Sequence, residues 1–188
     1  LFFGLAAVVG TYWVQLQAAP AHVWGAGACI GLLATAILVV NNLRDRHTDV
    51  QASKRTLAVR LGPTAARWEF TLLQLGAFFG VGALVATEQV GPGWMLSWLA
   101  IPLALIEIRA IWTTDGPALN PHLGRAARVE LVFGLLLVRR LRVLGVLVAF
   151  ALHFGLGWIG FRQFLIMFPL LLLFVRPTTP LPPLPQAL

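Results

Sequence analysis

Apolar runs of about 17 to 25 residues recur along this chain, and each is long enough to cross a hydrocarbon core roughly 30 Å thick as a helix. That recurrence restricts the fold more than any single residue does. Only 11% of the 188 residues are charged and 59% are hydrophobic, whereas an ordinary soluble domain carries roughly 25% charge. The expected fold class is all-α, a polytopic transmembrane helix bundle of about five spans with an atypical C-terminal segment, and the length suits one helical unit.

Helix-stopping residues divide the runs. The first candidate span covers residues 1–17 and ends at Ala18-Ala19-Pro20, where proline halts a helix. The second covers residues 22–40 and flows directly into Asn41-Asn42-Leu43-Arg44-Asp45-Arg46-His47-Thr48-Asp49, so one helix is expected to carry its polar end out of the hydrocarbon. A third covers residues 64–86, closed by Gly91-Pro92-Gly93; a fourth covers residues 94–112, and a fifth begins near Ala126. Arg139, Arg140 and Arg142 interrupt this last run after about ten residues, and one charge at the bilayer centre already costs about 2.5–3.5 kcal/mol. The chain therefore divides into a bundle over residues 1–138, an atypical apolar segment over 139–175 and a Pro-rich, extended tail over 176–188.

The net charge of +7 forms no continuous stripe, which excludes a nucleic-acid-binding surface. Arg44, Arg46, Lys54, Arg55, Arg60 and Arg67 share one connector region and Arg125 lies in another, while the connectors over residues 17–22 and 87–93 contain no Lys or Arg. The positive-inside rule makes the basic connectors cytoplasmic. Trp68, Trp94 and Trp112 near span ends suit an interfacial belt. Gln15 and Gln74 within spans, and Glu107 and Glu130 near span ends, are expected to face the bundle interior or to bond helix to helix. Cys29, the one cysteine, reads as a small packed residue and allows no intramolecular disulfide. The chain starts at Leu1 without a basic leader, so its start is no signal peptide and is expected to lie within a longer protein.

One segment is chemical. Asn41, Asp45 and Asp49 are spaced by four and Asn42 joins them at three, which puts all of them along one helical face. Two carboxylates a turn apart, with amide oxygens beside them, make an oxygen-rich surface for Mg²⁺, which binds carboxylates, waters and substrate phosphates. Lys54-Arg55-Thr56 follow, with cations and a hydroxyl suited to phosphate oxygens. His47 is expected to stay solvated, since Mg²⁺ prefers oxygen. The alternative is a solvated loop whose cations serve topology and whose aspartates balance them.

The stretch from Asn41 through Asp49, followed by Lys54-Arg55-Thr56-Leu57-Ala58-Val59-Arg60-Leu61-Gly62, resembles the second aspartate-rich motif of the UbiA superfamily of intramembrane prenyltransferases. Within that superfamily it is most similar to the members that prenylate 1,4-dihydroxy-2-naphthoate in menaquinone synthesis. Supporting likenesses run from Phe3-Gly4 through Thr11-Tyr12-Trp13-Val14-Gln15, and from Asp115-Gly116-Pro117-Ala118-Leu119-Asn120-Pro121 through Ala127-Arg128 and Gly134. The resemblance covers residues 1–138 and implies the C-terminal half of a nine-helix enzyme, with the first aspartate-rich motif lacking. A frame error or truncation would account for the arginines and prolines after Val138.

The resemblance implies that a polyprenyl diphosphate is ionised with Mg²⁺ and that the naphthoate ring takes the prenyl group, losing carbon dioxide to give demethylmenaquinone. It implies Asp45 and Asp49 as the catalytic, Mg²⁺-binding pair, with Asn41 or Asn42 assisting. Lys54, Arg55 and Arg44 are implied as diphosphate contacts, and Arg128 with Glu130 as the border of the aromatic substrate. The implied setting is a lipid bilayer, the bacterial inner membrane, with the aspartate-rich connector on the cytoplasmic side. The competing readings are a membrane transport or scaffold protein, an inactive remnant of a prenyltransferase, and an enzyme with another aromatic acceptor such as 4-hydroxybenzoate.

Overall fold

The computed structural model describes residues 2–137; the expectations for residues 139–188 lie outside them. Every regular element among the described residues is helical. They are α1 (Phe2–Leu16), α2 (Ala21–Arg44), α3 (Arg46–Gln51), α4 (Leu57–Ala86), α5 (Pro92–Thr113) and α6 (Asn120–Leu137). Helices α2, α4 and α5 are long and apolar enough to cross a bilayer, and α1 is shorter. This is an all-α helical membrane protein, and α1, α2, α4, α5 and α6 take the places of the five apolar runs.

Boundaries shift where polar residues extend a helix beyond its apolar run. Helix α2 continues to Arg44, as its polar end suggests. Helix α6 begins at Asn120 instead of near Ala126, because the 3₁₀ turn Gly116–Leu119 leads straight into it and its opening turns carry His122 and Arg125. The first part of α5, Pro92–Ala100, is wound as a 3₁₀ helix.

Helix α2 packs against α1, α4 and α6 and is the most buried of the three long helices. A helix apolar all round belongs in an interior. The crossing with α1 is a backbone-to-backbone contact: a Cβ built on Gly4 would stand 2.2 Å from the Gly27 carbonyl oxygen and 2.3 Å from the Gly31 Cα. Gly27 and Gly31 are four apart, the small-xxx-small spacing that lets membrane helices approach closely. Cys29, between them, is buried with its sulfur against Gly80 of α4. Two apolar clusters result. One gathers Val40, Leu43, Phe70, Ile111 and Leu119; the other gathers Leu33, Phe78, Val81, Ala104 and Phe133, with the Phe78 and Phe133 rings edge to face at 5.3 Å.

Helix α4 contains a break. Thr56 caps its first turn by accepting from the Val59 N–H at 3.4 Å, and that turn ends at Gly62, whose φ of 85° and ψ of 173° are not helical. The following Pro63 disfavours a helical residue before it, and this positive-φ, extended conformation is open essentially to glycine alone. A Cβ on Gly62 meets nothing within 4 Å, so a substitution there tests the backbone alone. Gly62→Ala is expected to destabilise the fold by about 1–3 kcal/mol; a thermal melt of the detergent-solubilised variant that matches the parent protein would contradict this conformation.

Candidate functional site

The aspartate-rich segment straddles a kink. Helix α2 ends at Arg44, Asp45 has φ −89° and ψ 5°, and α3 starts at Arg46. The helical bonds nevertheless carry through: Asp45 N–H donates to the Asn41 carbonyl at 3.0 Å, and Asp49 N–H to the Asp45 carbonyl at 2.8 Å. The Thr48 hydroxyl also donates to the Asp45 carbonyl, at 2.8 Å, and a carbonyl that accepts twice tilts the helix there. The expected four-residue spacing of Asn41, Asp45 and Asp49 thus survives on a bent helix.

Arg44 is the hub. Its Nε donates to Asp45 Oδ1 at 2.7 Å and its Nη2 to Asp45 Oδ2 at 2.6 Å; Nη2 also reaches Asn41 Oδ1 at 2.8 Å, and Nη1 reaches Asn120 Oδ1 at 3.1 Å. This paired hydrogen bonding, ahead of simple charge attraction, holds the Asp45 carboxyl below the usual carboxylate range. Asp45 is therefore ionised at neutral pH.

Asp49 is buried while its partner Lys54 is largely exposed, with Lys54 Nζ 3.1 Å from Asp49 Oδ1. The turn between them sets this contact. Ser53 is left-handed at φ 55°, its N–H donates to the Val50 carbonyl at 3.1 Å, and the Lys54 N–H donates to the Asp49 carbonyl at 2.9 Å. Those two bonds close α3 as a Schellman motif and fold Lys54 back over Asp49.

A second connector is fastened to this one. Arg46 Nη2 donates to Asp115 Oδ2 at 3.3 Å, beside the Arg44–Asn120 bond. Arg67 of α4 caps α5, donating to the carbonyls of Ile111 at 3.0 Å and Thr114 at 3.1 Å; a cation is favourable at a helix C-terminus. Deeper in the bundle, His122 Nδ1 and Glu107 Oε1 lie 2.6 Å apart and buried. Gln74 is fully buried, with neither amide atom hydrogen-bonded among the described residues. Trp112 donates to the Thr71 hydroxyl at 3.2 Å and meets Trp68 edge to face at 5.2 Å.

Of the residues singled out in the sequence, the structure joins Asn41, Arg44 and Asp45 in one network and Lys54 with Asp49 in another. The side chains of Asn42 and Arg55 form no hydrogen bond or ion pair with the described residues, and Arg55 is exposed. Arg128 lies on the exposed side of α6, apart from the cluster, whereas Glu130 is buried. His47 is exposed, beside Arg46. Among the described residues, no three His, Cys, Asp or Glu side chains come together as a metal-holding group. Sequence reasoning missed Asn120, Asp115 and His122. The signal available for the first two was the stretch from Asp115 to Pro121, read only as supporting a likeness; nothing local marks His122.

Comparison with known proteins bears on this cluster. Residues 1–123 match the model of the UbiA prenyltransferase family. The chain is 35% identical over 138 residues to a 1,4-dihydroxy-2-naphthoate octaprenyltransferase of Haemophilus influenzae, covering 72% of this chain and 44% of that protein. Proteins of the same name from Escherichia coli, 37% identical with 73% and 45% covered, and from Mycobacterium leprae, 34% identical with 77% and 49% covered, are similar as well. The chain spans about half the length of these relatives. No solved structure matches it significantly.

Proposed function

The chain belongs to the UbiA prenyltransferase family, and from that membership we propose that the protein carrying it transfers a polyprenyl group from an allylic diphosphate to 1,4-dihydroxy-2-naphthoate, in menaquinone synthesis. The carrying observation is that both aspartates of one bent helical segment are paired with cations, Asp45 with Arg44 beside it and Asp49 with Lys54 from the turn that follows. The names of the relatives support the choice of substrates.

The donor set fits Mg²⁺. Asp45 and Asp49, with Asn41, would hold it: each carboxylate retains lone pairs beyond those its cation uses, and Mg²⁺ is commonly bound by one or two carboxylates together with waters and substrate phosphates. When bound, Mg²⁺ supplies positive charge where diphosphate oxygens gain negative charge. Arg44 keeps Asp45 ionised and oriented. Lys54 and Arg55, on the exposed side, grip the diphosphate, and Asn42 adds an amide to the same face. Arg128, about two turns along α6 from Asn120, would meet the acceptor's carboxylate.

In the reaction, the prenyl carbon–oxygen bond breaks and its electron pair leaves on the diphosphate, whose charge the cations stabilise. The ring carbon bearing the carboxylate forms the new carbon–carbon bond to the allylic cation. The carboxylate departs as carbon dioxide, and its bonding pair returns to the ring, giving demethylmenaquinone in its reduced form. By the positive-inside rule the face with both basic connectors is cytoplasmic, and the membrane is the bacterial inner membrane.

The test supplies the full-length protein in lipid vesicles with labelled polyprenyl diphosphate, Mg²⁺ and 1,4-dihydroxy-2-naphthoate. Prenylated naphthalenediol and carbon dioxide are expected in equal amounts, with none after chelation of the metal. Product with 4-hydroxybenzoate in place of the naphthoate would reassign the acceptor. Neither product nor metal-dependent binding of the diphosphate would favour a non-catalytic protein.

A further inference from the structure

Two cations of the first basic connector are held by the second across 76 and 69 positions, Arg44 by Asn120 and Arg46 by Asp115. Arg44 is the informative one, because its other edge grips both oxygens of Asp45 and reaches Asn41. A guanidinium is planar and its donors are fixed relative to one another. An acceptor that fixes Nη1 therefore fixes the plane, and with it the direction in which Nε and Nη2 point.

Asn120 is well placed to be that acceptor. It follows the turn Gly116–Leu119, whose Leu119 is fully buried in the same apolar cluster as Val40 and Leu43 of α2. The turn is held at its other end by Asp115, which accepts from the Gly116 N–H through Oδ1 at 3.1 Å and from Arg46 through Oδ2. The Asn120 amide thus stands on an anchored turn, fixed relative to the end of α2.

We propose that Asn120 is a positioning residue of the aspartate-rich face: acting through Arg44, it sets the orientation in which the Asp45 carboxylate meets a divalent cation. The proposal rests on reading Asp45 as a cation ligand. Without Asn120, Arg44 keeps its bonds to Asp45 and Asn41, so the ion pair persists but loses its tie to α6 and moves with the end of α2 alone. The defect falls on cation affinity, and the fold is retained.

The experiment measures Mn²⁺ binding to the full chain in detergent by electron paramagnetic resonance, with no substrate and no turnover. Asn120→Ala should weaken binding on the order of tenfold, the lower end of what loss of a partner behind a metal ligand causes. Asn120→Asp keeps an acceptor oxygen for Arg44 and should restore most of that loss; Asp45→Ala should remove the binding. If Asn120→Ala binds as the parent does while Asp45→Ala does not bind, the positioning role is wrong and the cation reading stands. Equal weakening in Asn120→Ala and Asn120→Asp would assign the loss to disturbance of α6, which also overturns the proposal. Undiminished binding in Asp45→Ala would sink the cation reading and the role of Asn120 with it.

Discussion

Alanine at Asp45 or at Asp49 should lower prenyl transfer by the full-length protein at least about a hundredfold, the scale of removing one key electrostatic group. The two losses differ in what they leave behind. In Asp49→Ala, Lys54 is already largely exposed and returns to water. In Asp45→Ala, Arg44 keeps its bonds to the side-chain oxygens of Asn41 and Asn120. Asp45→Ala thus leaves a half-buried Arg44 still hydrogen-bonded and Asp49→Ala leaves a solvated Lys54, so both variants should stay folded, and melting temperatures near that of the parent are part of the expected result. Steady-state turnover with saturating diphosphate and acceptor is the measurement. Retained activity in both variants would sink the assignment of these carboxylates.

The largest structural effect is expected at Gly4. A methyl group there would stand 2.2 Å from the Gly27 oxygen and 2.3 Å from the Gly31 Cα and nitrogen, far inside the roughly 3.5–4.0 Å of carbon–carbon contact. All three are backbone atoms of α2 and cannot rotate away as a side chain could, so α1 must move as a body. Gly4→Ala should lose about 3 kcal/mol or more, the upper end of what overpacking causes. Gly10 lies in the same helix with nothing within 4 Å of a built Cβ. Gly10→Ala should be neutral or stabilising by about 0.5–1 kcal/mol. Thermal melts of both variants in mild detergent, measured side by side, check the pair, and similar values would contradict the close crossing.

Much of this architecture is legible in the sequence because a bilayer imposes length and polarity together. Apolar runs with proline or glycine stops located α2, α4 and α5, and the polar end of α2 was visible as a continuation of its helix. The helix ends were harder. Gln17, Ser53 and Glu88 are left-handed, at φ of 51°, 55° and 58°, and each closes a helix with hydrogen bonds back to its last turn. Glycine or asparagine is the usual mark of such an ending, and none of these three is either. The Gly27-x-x-x-Gly31 spacing was present, but its partner Gly4 had to be known before it meant a crossing.

The candidate site divides in the same way. Local spacing carries Asn41, Asp45 and Asp49, since helical periodicity brings residues four apart together. The Lys54–Asp49 contact depends on a turn whose left-handed residue is a serine. The bonds from Arg44 to Asn120 and from Arg46 to Asp115 depend on how α2, α5 and α6 pack, which no window of sequence contains. Arg67 shows the limit most plainly: counted along the chain it is one more topology charge, yet in the fold it caps α5.

The length of those two bridges also orders the birth of the protein. A ribosome adds about 5–20 residues per second, so Asn120, 76 positions after Arg44, is made about 4–15 s later. Throughout that interval α4 and α5 are still being made and laid into the membrane, and the first connector waits with that arm of Arg44 uncommitted. The pairings within the aspartate-rich segment can form at once, but its ties to Asn120 and Asp115 close only when the second basic connector arrives beside it.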